Sequence, residues 1–186
     1  MIFYPNTFPS ILKKMRFSIL TLVFSTLTGL LFGQSGETIQ QIRNTVEQIN
    51  MDTSYTVKTL NNKEFLGEAP NKSGQLIGYF KGGNLVKVLE KIEQNGCTQN
   101  YEYYYHEKLL IFVSGGEHVF AFNDSTQTFD KTKEVPGWGC SYYLFKGSLI
   151  KTIKLGHSRC FSSDENPLQF LDILNNSKKY YELLNQ

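Results

Sequence analysis

Histidine and cysteine each occur three times in the 186 residues, proline five times and tryptophan once. His106, His118 and His157 are scattered without the spacing of metal ligands, so no metal site is read from them. The run Asp124-x-Thr126-x-Thr128-x-Asp130 alternates oxygens but lacks the central glycine and closing glutamate of a calcium loop, and reads as a solvated loop. No Gly-x-Ser-x-Gly elbow and no glycine-rich nucleotide loop are present, which removes two common catalytic signatures and leaves no cofactor to expect. Neither charge sign dominates, with 19 basic and 17 acidic side chains, so the basic footprint of a nucleic-acid binder is missing.

Apolar residues make up 40% of the chain and aromatic ones 14%, the composition of a globular protein rather than a disordered or collagen-like one. The apolar stretch from Phe17 to Phe32 is 16 residues long, short of the roughly 20 that span a membrane. Lys13, Lys14 and Arg16 precede it and a polar stretch opens at Gln34, the layout of a secretory signal cut after Gly33. Met15 is an alternative start that would make this signal compact. No cysteine lies near the end of the apolar run, which argues against a lipoprotein anchor. Residues 34–186 then form a single domain, exported to the periplasm or cell exterior, soluble and without a membrane span. Removing the leader with its three basic side chains leaves 153 residues with 16 basic against 17 acidic ones.

Ser35 to Asn50 reads as an amphipathic helix, with Ile39, Ile42, Val46 and Ile49 on one face. Its expected role is to cover one face of a sheet. After Asp52 the period becomes that of strands: Tyr55–Leu60, Gln75–Lys81, Leu85–Glu93, Thr98–His106, Leu109–Ser114, His118–Asn123, Ser141–Lys146 and Ser148–Leu155. Their short separations demand antiparallel hairpins, because parallel crossovers have no room. Asn166-Pro167 opens a C-terminal helix with Leu168, Leu171 and Leu174 on its apolar face, and Asn175-Asn176-Ser177 breaks it. The fold class is α+β, with an N-terminal helix, an antiparallel meander of seven or eight strands and a short C-terminal helix.

Three hairpins share a design. The ten residues from Tyr79 align without gaps on those from Tyr104 and less closely on those from Tyr143: an aromatic strand, a polar turn and a leucine-led aliphatic strand. A fourth copy is suggested at Phe120-Ala121-Phe122. Gly82-Gly83 and Lys146-Gly147 suit tight turns, whereas Glu107-Lys108 must adopt a costlier or longer one. With its leader ending in Leu-Phe-Gly-Gln, the helix Ile39-x-x-Ile42-Arg43 and these hairpins, the chain resembles uncharacterised exported β-hairpin-repeat proteins of Bacteroidota, and more distantly MORN-type repeats. The resemblance implies export and a β-meander, and no activity.

Cys97, Cys140 and Cys160 allow three single pairings, of which Cys140 with Cys160 is favoured because both flank one hairpin; the alternative is three reduced, buried thiols. Cys140 in Gly137-Trp138-Gly139-Cys140-Ser141 is also the only cysteine nucleophile worth considering, with His118 or His157 as base. The aromatics point instead to binding. Tyr101, Tyr103 and Tyr105 share one face of a strand, and Trp138 stands in what reads as a Pro-Gly-Trp-Gly loop; both are candidate contacts for a protein or glycan of the cell envelope. The alternative is that a helix covers the tyrosine row. The leading expectation is a non-catalytic binding module; an envelope hydrolase with a cysteine nucleophile and a purely structural protein are the alternatives.

Overall fold

The computed structural model describes residues 36, 38–67, 72–94, 96–156 and 170–186. The expected leader, the Asn166-Pro167 cap and Cys160 lie outside the described residues. The chain divides into two compact units, residues 1–41 and 42–186. The first supplies only residue 36 and the opening turn of α1 (residues 38–51) to the description. Everything below concerns the second.

Seven strands lie in sequence order in one antiparallel sheet: β1 (Thr56–Asn61), β2 (Lys72–Lys81), β3 (Asn84–Gln94), β4 (Cys97–His106), β5 (Leu109–Asn123), β6 (Thr128–Phe145) and β7 (Ser148–Gly156). The single-turn helix α2 (Asn62–Phe65) follows β1, and α3 (Phe170–Leu184) closes the chain. The α+β meander expected from sequence is therefore the observed fold. Two of the expected strands, Leu109–Ser114 and His118–Asn123, are one continuous strand, β5. Its partner β6 extends back to Thr128, so in the segment expected to be a solvated loop residues 124–127 form the exposed turn of a long hairpin and residues 128–130 are strand. The Phe120-Ala121-Phe122 stretch belongs to this hairpin and is no fourth copy of the unit.

The other three copies are real, and their likeness extends to an irregularity. In each hairpin a tyrosine pairs with the residue eight positions later: Tyr79 with Lys87, Tyr104 with Phe112, Tyr143 with Lys151. The next pair toward the turn joins residues five apart, Phe80 with Leu85, Tyr105 with Leu110 and Leu144 with Leu149. Val86, Ile111 and Ile150 are thus equivalent bulge residues, each two-against-one with the partner strand. The turns are also alike. Both central residues have positive φ at Gly82-Gly83, Glu107-Lys108 and Lys146-Gly147, the twist-matched turn of two-residue hairpins. Glu107 and Lys108 hold it without glycine, at φ of 49° and 65°.

Alternation gives the sheet two faces. One, called the back, carries Leu76, Val88, Tyr101, Tyr103, Tyr105, Val113, Trp138, Cys140, Tyr142 and Leu144, which pack with Ile173, Tyr180 and Leu184 of α3 into the main core. Helix α3 runs unbroken through Asn175-Asn176-Ser177, contrary to the expected break. Its buried face is Ile173, Ser177, Tyr180 and Leu184, while Leu171 is exposed, so the apolar stripe is rotated from the one read in the sequence. Ser177 is used: Tyr105 donates its hydroxyl proton to the Ser177 carbonyl at 3.1 Å.

The front face receives residues 42–51 of α1. Ile42 and Ile49 are buried, in keeping with the amphipathic pattern. Arg43 donates from Nε to the Tyr143 hydroxyl at 3.3 Å and stacks on its ring. Lys87 donates to Asn50 Oδ1 at 3.0 Å and pairs with Glu102 at 2.7 Å. Among the described residues no helix is long and apolar enough to cross a membrane.

Candidate functional site

The sequence nominated Tyr101, Tyr103 and Tyr105 as a contact surface, and the structure places all three in the core, with exposures of 1%, 0% and 3%. Helix α3 covers the row, which was the alternative considered. The hydroxyls of Tyr103 and Tyr105 are occupied inward. Tyr103 donates to Glu90 Oε2 at 2.7 Å, and Tyr105 is tied to Ser177. Burial raises the phenol pKa of each above the ordinary value. A ligand at these rings would first have to displace α3.

Trp138 is likewise not a loop residue. It pairs with Gly156 across β6 and β7, is 7% exposed and belongs to the main core. The Pro-Gly-Trp-Gly sequence suggested a turn, but Pro136 pairs with His118 just beyond a bulge between Gly116 and His118, which accommodates a residue unable to donate to the ladder.

The expected Cys140–Cys160 pairing does not form. Cys140 is a free, buried thiol, and Cys97 is the disulfide-bonded residue. Burial among core residues pushes the Cys140 thiol up to about 12, the opposite of the lowered value that nucleophilic cysteines need. Among the described residues no group of three or more His, Cys, Asp or Glu side chains could hold a metal ion.

What the front face does offer is a trough beyond the row that meets α1. It encloses about 450 Å³ and runs across β3 to β7, with Leu89, Asn100, Glu102, Ser114, His118 and Leu155 around it. The register explains why these residues meet. Leu89 opposes Glu102, Glu102 opposes Ser114, Asn100 opposes Gly116, Gly116 opposes Gly139 and Gly139 opposes Leu155. Each therefore lies on one face in two adjacent cross-strand rows.

Glycine makes the trough concave, for two different reasons. At Gly116 a Cβ would stand 2.2 Å from the Trp138 carbonyl oxygen, so the two strands approach too closely for a side chain. At Gly139 a Cβ would meet only the Gly115 carbonyl oxygen, at 3.8 Å, and would otherwise project into open space. The missing side chain there is the volume of the trough.

The polar walls are held in place. Glu102 is fixed by the Lys87 ammonium at 2.7 Å and by the Tyr104 hydroxyl, which donates to Oε2 at 2.7 Å. His118 Nδ1 lies 3.2 Å from Glu134 Oε2. A carboxylate, an amide, a hydroxyl and an imidazole around an apolar shoulder can donate and accept hydrogen bonds over a short span. Sequence reasoning missed this site because its residues lie in five strands. The readable signal was the glycine density of Gly115-Gly116 and Gly137-x-Gly139, which fell outside the expected strands.

No family model, curated protein or solved structure matches the chain.

Proposed function

We propose that the protein is an exported, non-catalytic binding module whose ligand site is the front-face trough, and that its ligand is a glycan of the cell envelope. The carrying observation is the trough itself: a glycine floor, with Gly139 empty of side chain, ringed by Asn100, Glu102, Ser114 and His118 and flanked by Leu89 and Leu155. Sugars present closely spaced hydroxyls and apolar ring faces, which such a mixed lining matches. The charge-free leader segment supports export, as does the Cys97 disulfide, since disulfides persist in oxidising compartments. The raised Cys140 thiol weighs against a cysteine hydrolase.

The test is binding of a panel of envelope oligosaccharides of defined structure, compared between the native chain and Gly139→Leu. The expected result is that one structural class binds and that Gly139→Leu abolishes it while leaving the unfolding temperature within a few degrees. Binding by none of the panel, or equal binding by Gly139→Leu, overturns the proposal.

A further inference from the structure

The repeated hairpins leave one position of their own pattern unfilled. After its bulge, the second strand of each hairpin turns its outer edge to the first strand of the next. The outward ladder of β3 begins at Lys87, immediately after bulge residue Val86, opposite Tyr104. That of β5 toward β6 begins at Phe112, immediately after Ile111, opposite Tyr143. In the third hairpin the equivalent bulge residue is Ile150, so the ladder of β7 would begin at Lys151. Among the described residues β7 pairs only with β6, and every β7 residue except Ile153 is exposed. Residues 151–156 therefore present an edge with the same bulge and register as the two edges that already hold an aromatic strand.

We infer that β7 is a docking edge for an extended segment of a second protein, added antiparallel as an eighth strand, with an aromatic residue opposite Lys151 and a carboxylate three positions before it, opposite Lys154. The register sets the first requirement, because both occupied edges put a tyrosine opposite this position, and Lys87 makes a cation–π contact with Tyr104 at 5.0 Å. Charge sets the second. β7 carries Lys151 and Lys154 and no acidic residue, and Lys154 stands where β3 has Glu90, opposite Tyr101. An opposed carboxylate gives a favourable cross-strand pair, and main-chain hydrogen bonds supply the rest, as in other strand-addition complexes. The same lysines disfavour a second copy as occupant, since pairing two β7 strands would gather four ammonium groups on one ladder. The edge meets the trough at Leu155 and Gly156, but Lys151 and Lys154 lie outside the trough lining, so Lys154→Glu and Gly139→Leu test the two proposals separately.

The experiment uses the folded protein and two blocked peptides that copy residues 98–106 of β4, one carrying Tyr101→Glu and the other Tyr101→Lys. Binding is read by calorimetry and by backbone amide shifts. The native chain is expected to bind the glutamate peptide at least tenfold more tightly than the lysine peptide, with shifts concentrated in residues 151–156. Lys154→Glu, an exposed substitution, is expected to reverse that order. No binding of either peptide at millimolar concentration overturns the inference. So does a preference that Lys154→Glu leaves unchanged, or shifts centred elsewhere. Concentration-dependent dimerisation through β7 also overturns it, because the edge would then belong to a second copy.

Discussion

Tyr180 of α3 donates its hydroxyl proton to Oε1 of Glu90 on β3 at 2.5 Å, while Tyr103 of β4 donates to Oε2 at 2.7 Å. The carboxyl group is buried at 1% exposure, so a single acidic side chain joins the C-terminal helix to the middle of the sheet. Burial raises the Glu90 pKa above its ordinary value, opposed by the two tyrosine hydrogen bonds and the Lys179 charge. The folded state therefore holds the proton more tightly than the unfolded chain does. Stability is greatest below the ordinary carboxyl pKa and falls as pH rises through the raised one. Glu90→Gln, which keeps one acceptor and gains a donor, is expected to flatten this decline. Denaturant unfolding of both proteins at a series of pH values measures it, and parallel curves would refute the assignment.

Removing the helix's side of that junction has a different signature. Tyr180→Phe leaves a buried Glu90 carboxyl oxygen without its partner and is expected to lower stability by about 1–3 kcal/mol. Tyr105→Phe, whose hydroxyl meets a neutral carbonyl, is expected to lose about 1 kcal/mol. Equilibrium unfolding in urea ranks the two.

The second hairpin turn holds two non-glycine residues in the left-handed region. Lys108→Gly relieves one of them and is expected to stabilise the protein by about 1 kcal/mol. The equivalent Gly83→Ala is expected to destabilise it by a similar amount. A thermal melt of each variant decides both.

The trough glycines are expected to separate cleanly. Gly116→Ala drives a methyl group into the Trp138 carbonyl and should lower stability by about 2 kcal/mol or more. Gly139→Ala places the same group in open space and should change stability by under about 1 kcal/mol. Equal effects would mean that the floor of the trough is not open at Gly139.

Cys140 is expected to resist thiol reagents in the folded protein and to react once the chain is unfolded, because it is buried and its thiol pushed up to about 12. Reducing the Cys97 disulfide is expected to cost about 2–4 kcal/mol. Mass mapping of labelled peptides with and without denaturant and reductant tests both statements.

Periodicity and turn chemistry made the meander legible: the tyrosine-rich strands, Gly82-Gly83 and Lys146-Gly147 all read locally. What failed depended on distant partners. Gly115 and Gly116 fell between two expected strands, yet they are strand residues kept small by the Tyr101 ring and the Trp138 carbonyl. Thr128–Pro136 is polar and ends in proline, so nothing local marks it as a strand; the pairing with β5 does. The tyrosine row looked like a surface because hydroxyls suggest solvent, and only the placement of Glu90 and Ser177 reveals that the polar tips of Tyr103 and Tyr105 are satisfied indoors. Asn175-Asn176-Ser177 has poor helix propensity and is held by tertiary contact. The cysteine pairing followed nearness in sequence, and Cys140 points into the core instead.

The recurring bulge also governs how this chain can change length. By adding one residue on one strand, Val86 lets Leu85 and Val88 both reach the back core although they are three apart, with Lys87 between them turned to the front. Deleting it would restore strict alternation and leave Leu85 and Val88, then two positions apart, on the same back face. A single-residue deletion is therefore absorbed at the bulge but inverts the faces within a regularly paired stretch, while the gain or loss of a whole hairpin keeps every phase intact. Divergence in this architecture proceeds in steps the size of a hairpin, and its relatives should differ in strand number by twos.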